Sequence, residues 1–101
     1  MNTFFCKLVP PRPTFARDMS AAERQLMQEH AAYWRGWMDR GQVVAFGLVG
    51  DPKGAFGIGI VEVEDETAVQ ALTTNDPTIK ASVGFAFEVY PMPRGVIKPA
   101  P

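Results

Sequence analysis

The residues best equipped for chemistry gather in MQEHAAYWRGWMDRG, residues 27–41, which holds the only histidine, both tryptophans and one of the two tyrosines. An imidazole exchanges a proton near neutral pH, and when a carboxylate holds one ring nitrogen the other is free to take or give that proton. His30 is therefore the candidate acid or base, and Asp76, in Asn75-Asp76-Pro77, the candidate carboxylate. No serine or cysteine nucleophile is placed with them: Cys6 sits in a β-prone run with nothing to mark it as a thiolate. Tyr33 and Trp34, beside the histidine, can wall a planar ligand or simply fill a core. Arg12 and Arg17 can clamp an acidic substrate or stand in solvent.

The elements that must position these groups can be read from pattern. TFFCKLV, residues 3–9, is β-prone and apolar on both faces, as a central strand covered from two sides would be. Prolines at 10, 11 and 13 forbid helix directly after this strand, so residues 10–19 are expected as a loop or extended arm. Ser20-Ala21-Ala22-Glu23 has the form of a capping box, and Gly41 supplies the stop. The helix between them is about 20 residues long, roughly 30 Å. At 100° per residue, Ala22, Leu26, His30, Tyr33, Trp34 and Trp37 share one face, with Met27 and Met38 at its margin.

QVVAFGLV (42–49) and AFGIGIVEV (55–63) read as a hairpin around the turn GDPKG (50–54). Asp65 caps a second helix over 66–74, which Pro77 ends. SVGFAFEVY (82–90) alternates Val83, Phe85, Phe87 and Val89 against Gly84, Ala86, Glu88 and Tyr90, as a last strand should. Gly57, Gly59, Gly84 and Ala86 leave either close backbone packing or a hollow between sheet and partner. Residues 91–101, with four prolines, are an extended tail, mobile or draped over a partner subunit.

One domain spans residues 1–101, since this length leaves no room for a second. The order β-α-β-β-α-β with right-handed crossovers predicts an α+β, ferredoxin-like fold. Its sheet is four-stranded and antiparallel in spatial order 4-1-3-2, with two helices on one face. The first and last strands are apolar on both sides, so the open sheet face calls for a second copy, making a homodimer. In this topology Asp76, after the second helix, comes to the end of the sheet where the first helix begins, within reach of His30.

The pattern MSAAERQLMQEHAAYW, the glycine-ended helix, VVAFGLVGDPKGAFGIGIVEV, a short acid-capped helix and NDP before the last strand resembles the YCII-related (YciI-like) family, from about residue 4 to about residue 97. The resemblance implies a dimeric α+β barrel with a histidine on the first helix and an aspartate in a D-P pair after the second. Those positions match His30 and Asp76-Pro77, regarded in that family as a catalytic pair in a cleft. Many members follow the D-P pair with an aromatic residue; here Thr78 stands in that place.

Ten basic and eleven acidic side chains give a net charge of −1, with no basic footprint for nucleic acid. A lone cysteine excludes an intrachain disulfide and leaves no thiol partner for a metal. No run of apolar residues is long enough for a membrane span and none has the form of a signal peptide, so a cytoplasmic protein is expected. Phosphate-loop and dinucleotide fingerprints are missing, since G-I-G-I-V lies within a strand. No cofactor and no metal is expected, and the expected ligand is a small molecule.

Three readings are open. The first is a small enzyme in which His30 acts as acid or base and Asp76 orients it, for an isomerase- or lyase-type step on a metabolite that is aromatic or bears a carbonyl. The second is a non-catalytic dimer that binds a small molecule. The third is a structural dimer with His30 satisfied in the core, where lone histidines on apolar faces commonly belong.

Overall fold

The computed structural model describes residues 1–99. Four strands, β1 (Asn2–Val9), β2 (Val43–Val49), β3 (Phe56–Val63) and β4 (Ala86–Pro91), form one sheet in the order β2-β3-β1-β4. All neighbouring pairs are antiparallel. This is the 4-1-3-2 order of an α+β, ferredoxin-like fold, built from two helix-containing crossovers and one hairpin. The helices are α1 (Phe15–Asp18), α2 (Ala21–Asp39), α3 (Glu66–Thr74) and α4 (Pro77–Lys80).

Side-chain alternation sorts the sheet into two faces. Phe4, Cys6 and Leu8 of β1 are buried, as are Val61 and Val63 of β3. All of these but Leu8 share one core cluster with Trp34 of α2 and with Val69 and Leu72 of α3, so both long helices cover the same face. The buried Cys6 thiol is pushed up to about 12 by desolvation. Phe5, Lys7, Ile58 and Ile60 lie on the opposite face, half-buried, and among the described residues no helix covers them.

Each long helix begins where the capping residues place it. The Ser20 hydroxyl accepts from the Glu23 amide and the Glu23 carboxylate accepts from the Ser20 amide, closing the capping box of α2. The Asp65 carboxylate accepts from the Ala68 amide at the start of α3. Gly41, at φ +90°, turns the chain out of α2 in the left-handed region that glycine tolerates.

Two expectations need correction. The arm over 10–19 is not wholly extended, because Phe15–Asp18 makes one helical turn. Its prolines all precede that turn, leaving the amides of Arg17 and Asp18 free to donate to the Thr14 carbonyl. The last strand begins at Ala86 rather than at 82, because Ser82 and Gly84 take positive φ values of 54° and 102° that break the extended run. Val83 is accordingly exposed instead of facing the core. Of the tail, Met92 continues the pairing through its amide to the Thr3 carbonyl; residues 100 and 101 lie outside the described residues.

Candidate functional site

His30 occupies the middle of α2 on the face turned toward the sheet. Its Nδ1 lies 2.7 Å from Asp76 Oδ2, across 46 residues of sequence. Asp76 arrives there because Asn75 ends α3 and Pro77 opens α4, which makes Asp76 the N-cap of that short helix. Thr78 donates both its amide and its hydroxyl to Asp76 Oδ1, each at 2.8 Å. The indole Nε1 of Trp34 donates to Oδ2 at 2.6 Å.

The Asp76 side chain is wholly buried. Burial favours the neutral acid, but the hydrogen bond and charge of His30, with the donors of Thr78 and Trp34, outweigh it. The carboxyl is thereby held below its ordinary range and is ionised at neutral pH. An ionised acceptor fixes the proton of a neutral imidazole on Nδ1 and leaves Nε2 with its lone pair. Nε2 makes no hydrogen bond among the described residues, and His30 lines a cavity of about 300 Å³.

That cavity lies between α2, the arm and the helix-facing side of the sheet. Met27, His30 and Trp34 line it from α2, and Phe15, Ala16 and Met19 from the arm. Phe46 and Leu48 of β2, Gly57 of β3, and Phe85 and Phe87 complete much of the rest. Among the described residues His30 is the one titratable side chain in the lining. The walls therefore admit an apolar, ring-sized molecule and present it to one imidazole.

The remaining candidates fall in different places. Trp34 is both wall and donor, its ring centroid 6.3 Å from that of Phe46 and 5.9 Å from that of Phe87. Tyr33 is not in the lining: its hydroxyl donates to the Leu72 carbonyl at 2.6 Å, tying α2 to α3. Burial raises the Tyr33 hydroxyl, and the nearby Asp76 charge acts in the same direction.

Arg12, expected as a clamp over the cleft, is instead committed to Glu23 and Asp18, with nitrogen–oxygen distances of 2.7 Å to each. Its guanidinium also lies against the Phe15 ring, 5.2 Å from the centroid. Arg12 therefore fastens the arm to the start of α2 rather than facing the cavity. Arg17 is exposed on α1 and is absent from the lining.

The hollow expected at Gly57 and Gly59 is also placed differently, on the helix side of the sheet. Gly57 borders the cavity, whereas a Cβ at Gly59 would collide with the six-membered ring of Trp34. Bulk there would push the indole off the sheet.

Sequence reasoning missed Thr78 as a partner of Asp76. Its signal was the D-P-T triplet itself, since an aspartate at a helix N-cap accepts from the residue two positions on. The arm residues Phe15 and Met19 were missed as lining because the arm was not expected to fold back.

A model of the YCII-related domain family matches residues 3–93. No functionally curated protein matches the sequence. Among solved structures, the chain is similar to a 5-chloro-2-hydroxyhydroquinone dehydrochlorinase from Burkholderia phenoliruptrix AC1100, in complex with 2,5-dihydroxybenzoquinone. That likeness has a TM-score of 0.64 and 22% identity, covering 91% of this chain and 95% of that one. It is also similar to an uncharacterized protein from Thermotoga maritima, with a TM-score of 0.53, 8% identity, and coverage of 90% and 95%.

Proposed function

The chain belongs to the YCII-related domain family, and on that footing we propose that it is a small enzyme of lyase or isomerase type, in which His30 moves a proton and Asp76 orients it. The observation that carries the reading is an imidazole tied through Nδ1 to a buried, ionised carboxylate while its ring lines an apolar cavity. A residue merely satisfied in a core would have no such opening beside it.

In the proposed step Nε2 takes a proton from a ring hydroxyl or from a carbon next to a carbonyl, and Asp76 stabilises the imidazolium that forms. The electron pair left behind forms a new double bond. In an elimination, a leaving group on the conjugated ring then departs with its bonding electrons. In an isomerisation, the imidazolium returns the proton to a different atom. Apolar walls exclude water and strengthen the attraction between imidazolium and carboxylate. The similar structure of a dehydrochlorinase supports the elimination branch.

No cationic side chain lines the cavity among the described residues, which favours neutral or phenolic rings over carboxylates. The test is a panel of small hydroxylated and halogenated rings and enolisable ketones, scored by halide release and by exchange of carbon-bound hydrogen for solvent deuterium. Turnover should be lost in His30→Ala, and turnover that survives the substitution sinks the proposal. The apolar lining equally suits a non-catalytic binding protein. Binding of such rings with no turnover by the unaltered chain would establish that second reading.

The proposal extends to a homodimer through the sheet face that the helices leave open. Phe5, Ile58, Ile60 and Tyr90 offer an apolar patch there, with Tyr90 51% exposed and its ring 6.3 Å from that of Phe5. Light scattering should give twice the monomer mass at micromolar concentration, and Ile60→Glu should halve it. A monomer throughout would remove the second copy from the account.

A further inference from the structure

The two oxygens of Asp76 are used differently. Oδ1 takes both donors of Thr78 and is spent on starting α4. Oδ2 is shared by the imidazole Nδ1 at 2.7 Å and the indole Nε1 at 2.6 Å. An indole N–H only donates, so this partner cannot reverse its role.

A buried indole needs an acceptor, and any backbone carbonyl would serve a purely structural tryptophan. Trp34, only 1% exposed, instead takes the oxygen that the imidazole uses. The ring is held to that choice from three sides, by Gly59 beneath it and by Phe46 and Phe87 beside it.

We propose that Trp34 is a positioning residue of the His30–Asp76 pair: its N–H fixes the rotation of the carboxylate and tempers the hold of Asp76 on a protonated His30. The proposal rests on reading His30 and Asp76 as an acid–base pair. A donor on a carboxylate draws charge away from it and weakens its attraction for a neighbouring cation. With two donors on Oδ2, the pair releases the proton on Nε2 more readily than with one.

Among the described residues Asp76 is the one carboxylate bonded to the ring. The other titratable groups on the surrounding elements are differently engaged. Tyr33 is bonded to Leu72, and Asp18 and Glu23 are each bound to Arg12. Arg17, Glu29 and Lys80 are exposed, and β2 carries no charged side chain.

One histidine and two tryptophans make this testable by proton–nitrogen NMR of the full chain, with no substrate needed. Trp34→Phe keeps an aromatic ring, though a smaller one, and removes the donor. The titration midpoint of His30 should move upward by about half a pH unit, with its Nδ1–H still hydrogen-bonded. An unmoved or lowered midpoint overturns the proposal.

In the unaltered chain, the Trp34 indole N–H resonance should follow the His30 titration. That of Trp37, which is stacked on Arg40 at 4.9 Å, should not. This second measurement decides the matter if Trp34→Phe does not fold, and a flat Trp34 resonance overturns the proposal. An imidazole Nδ1–H without a hydrogen bond in the unaltered chain would remove the pair itself, and the role of Trp34 with it.

Discussion

Replacing Asp76 by asparagine changes one charge and almost no volume, and its consequences can be worked from four hydrogen bonds. An asparagine side chain has one acceptor oxygen and one donor nitrogen. With the oxygen toward the two donors of Thr78, its amide nitrogen meets the indole N–H of Trp34 and the imidazole of His30. The imidazole can answer by moving its own proton to Nε2, which ends its capacity as a base. The indole cannot answer, and a buried donor left without an acceptor costs about 1–3 kcal/mol. The Thr78 bonds also lose their charge assistance, bringing the total to about 2–4 kcal/mol. For a domain of this size that is a fall in Tm of about 10–20 °C.

The dependence on pH has a definite sign. The native Asp76 carboxyl lies below its ordinary range, where an unfolded aspartate titrates near 3.9, so the unfolded chain takes up the proton first. The stabilisation is therefore complete above about pH 4 and lost as pH falls through the lower native value. Urea unfolding of both chains at a series of pH values checks this. The gap between them should narrow in the acid range. A variant as stable as the parent at pH 7, or a gap of constant size down to pH 2, would refute the reasoning about the buried carboxylate.

Other substitutions test other contacts. His30→Gln should lower turnover of any substrate found by about 10²–10⁴-fold while circular dichroism stays unchanged. Gly59→Ala should destabilise the chain by about 1–3 kcal/mol in urea unfolding, because the added methyl collides with the Trp34 ring. Arg12→Ala should speed hydrogen exchange at the amides of Phe15 and Arg17 and leave that of the β3 core unchanged, since Arg12 fastens only the arm. Cys6, fully buried with its thiol pushed to about 12, should resist a thiol-specific reagent in the native chain at pH 8 and react on denaturation.

The fold was legible because each long element carries its own punctuation. Ser20 and Glu23 mark the start of α2, and Asp65 that of α3. Alternation in β3 survives because both of its neighbours are strands. His30 was legible as a residue of the inward face by period alone. Its juxtaposition with Asp76 was legible only through topology, since nothing local joins positions 46 residues apart. The start of β4 was not, because the alternation of 82–90 continues through two residues whose positive φ no pattern reveals. Nor was the use of Arg12: an arginine among prolines reads the same whether it meets a ligand or the two carboxylates that hold it.

Asp76 serves two structures at once. Through Oδ1 it caps α4, and through Oδ2 it holds the imidazole. Unwinding of α4 therefore also loosens the carboxylate to which the imidazole is tied, because one side chain makes both sets of bonds. A substitution far from the cavity that frays residues 77–80 should weaken the hold on the His30 ring. Loss of the His30–Asp76 bond should therefore follow from substitutions along α4 as well as from those beside the ring.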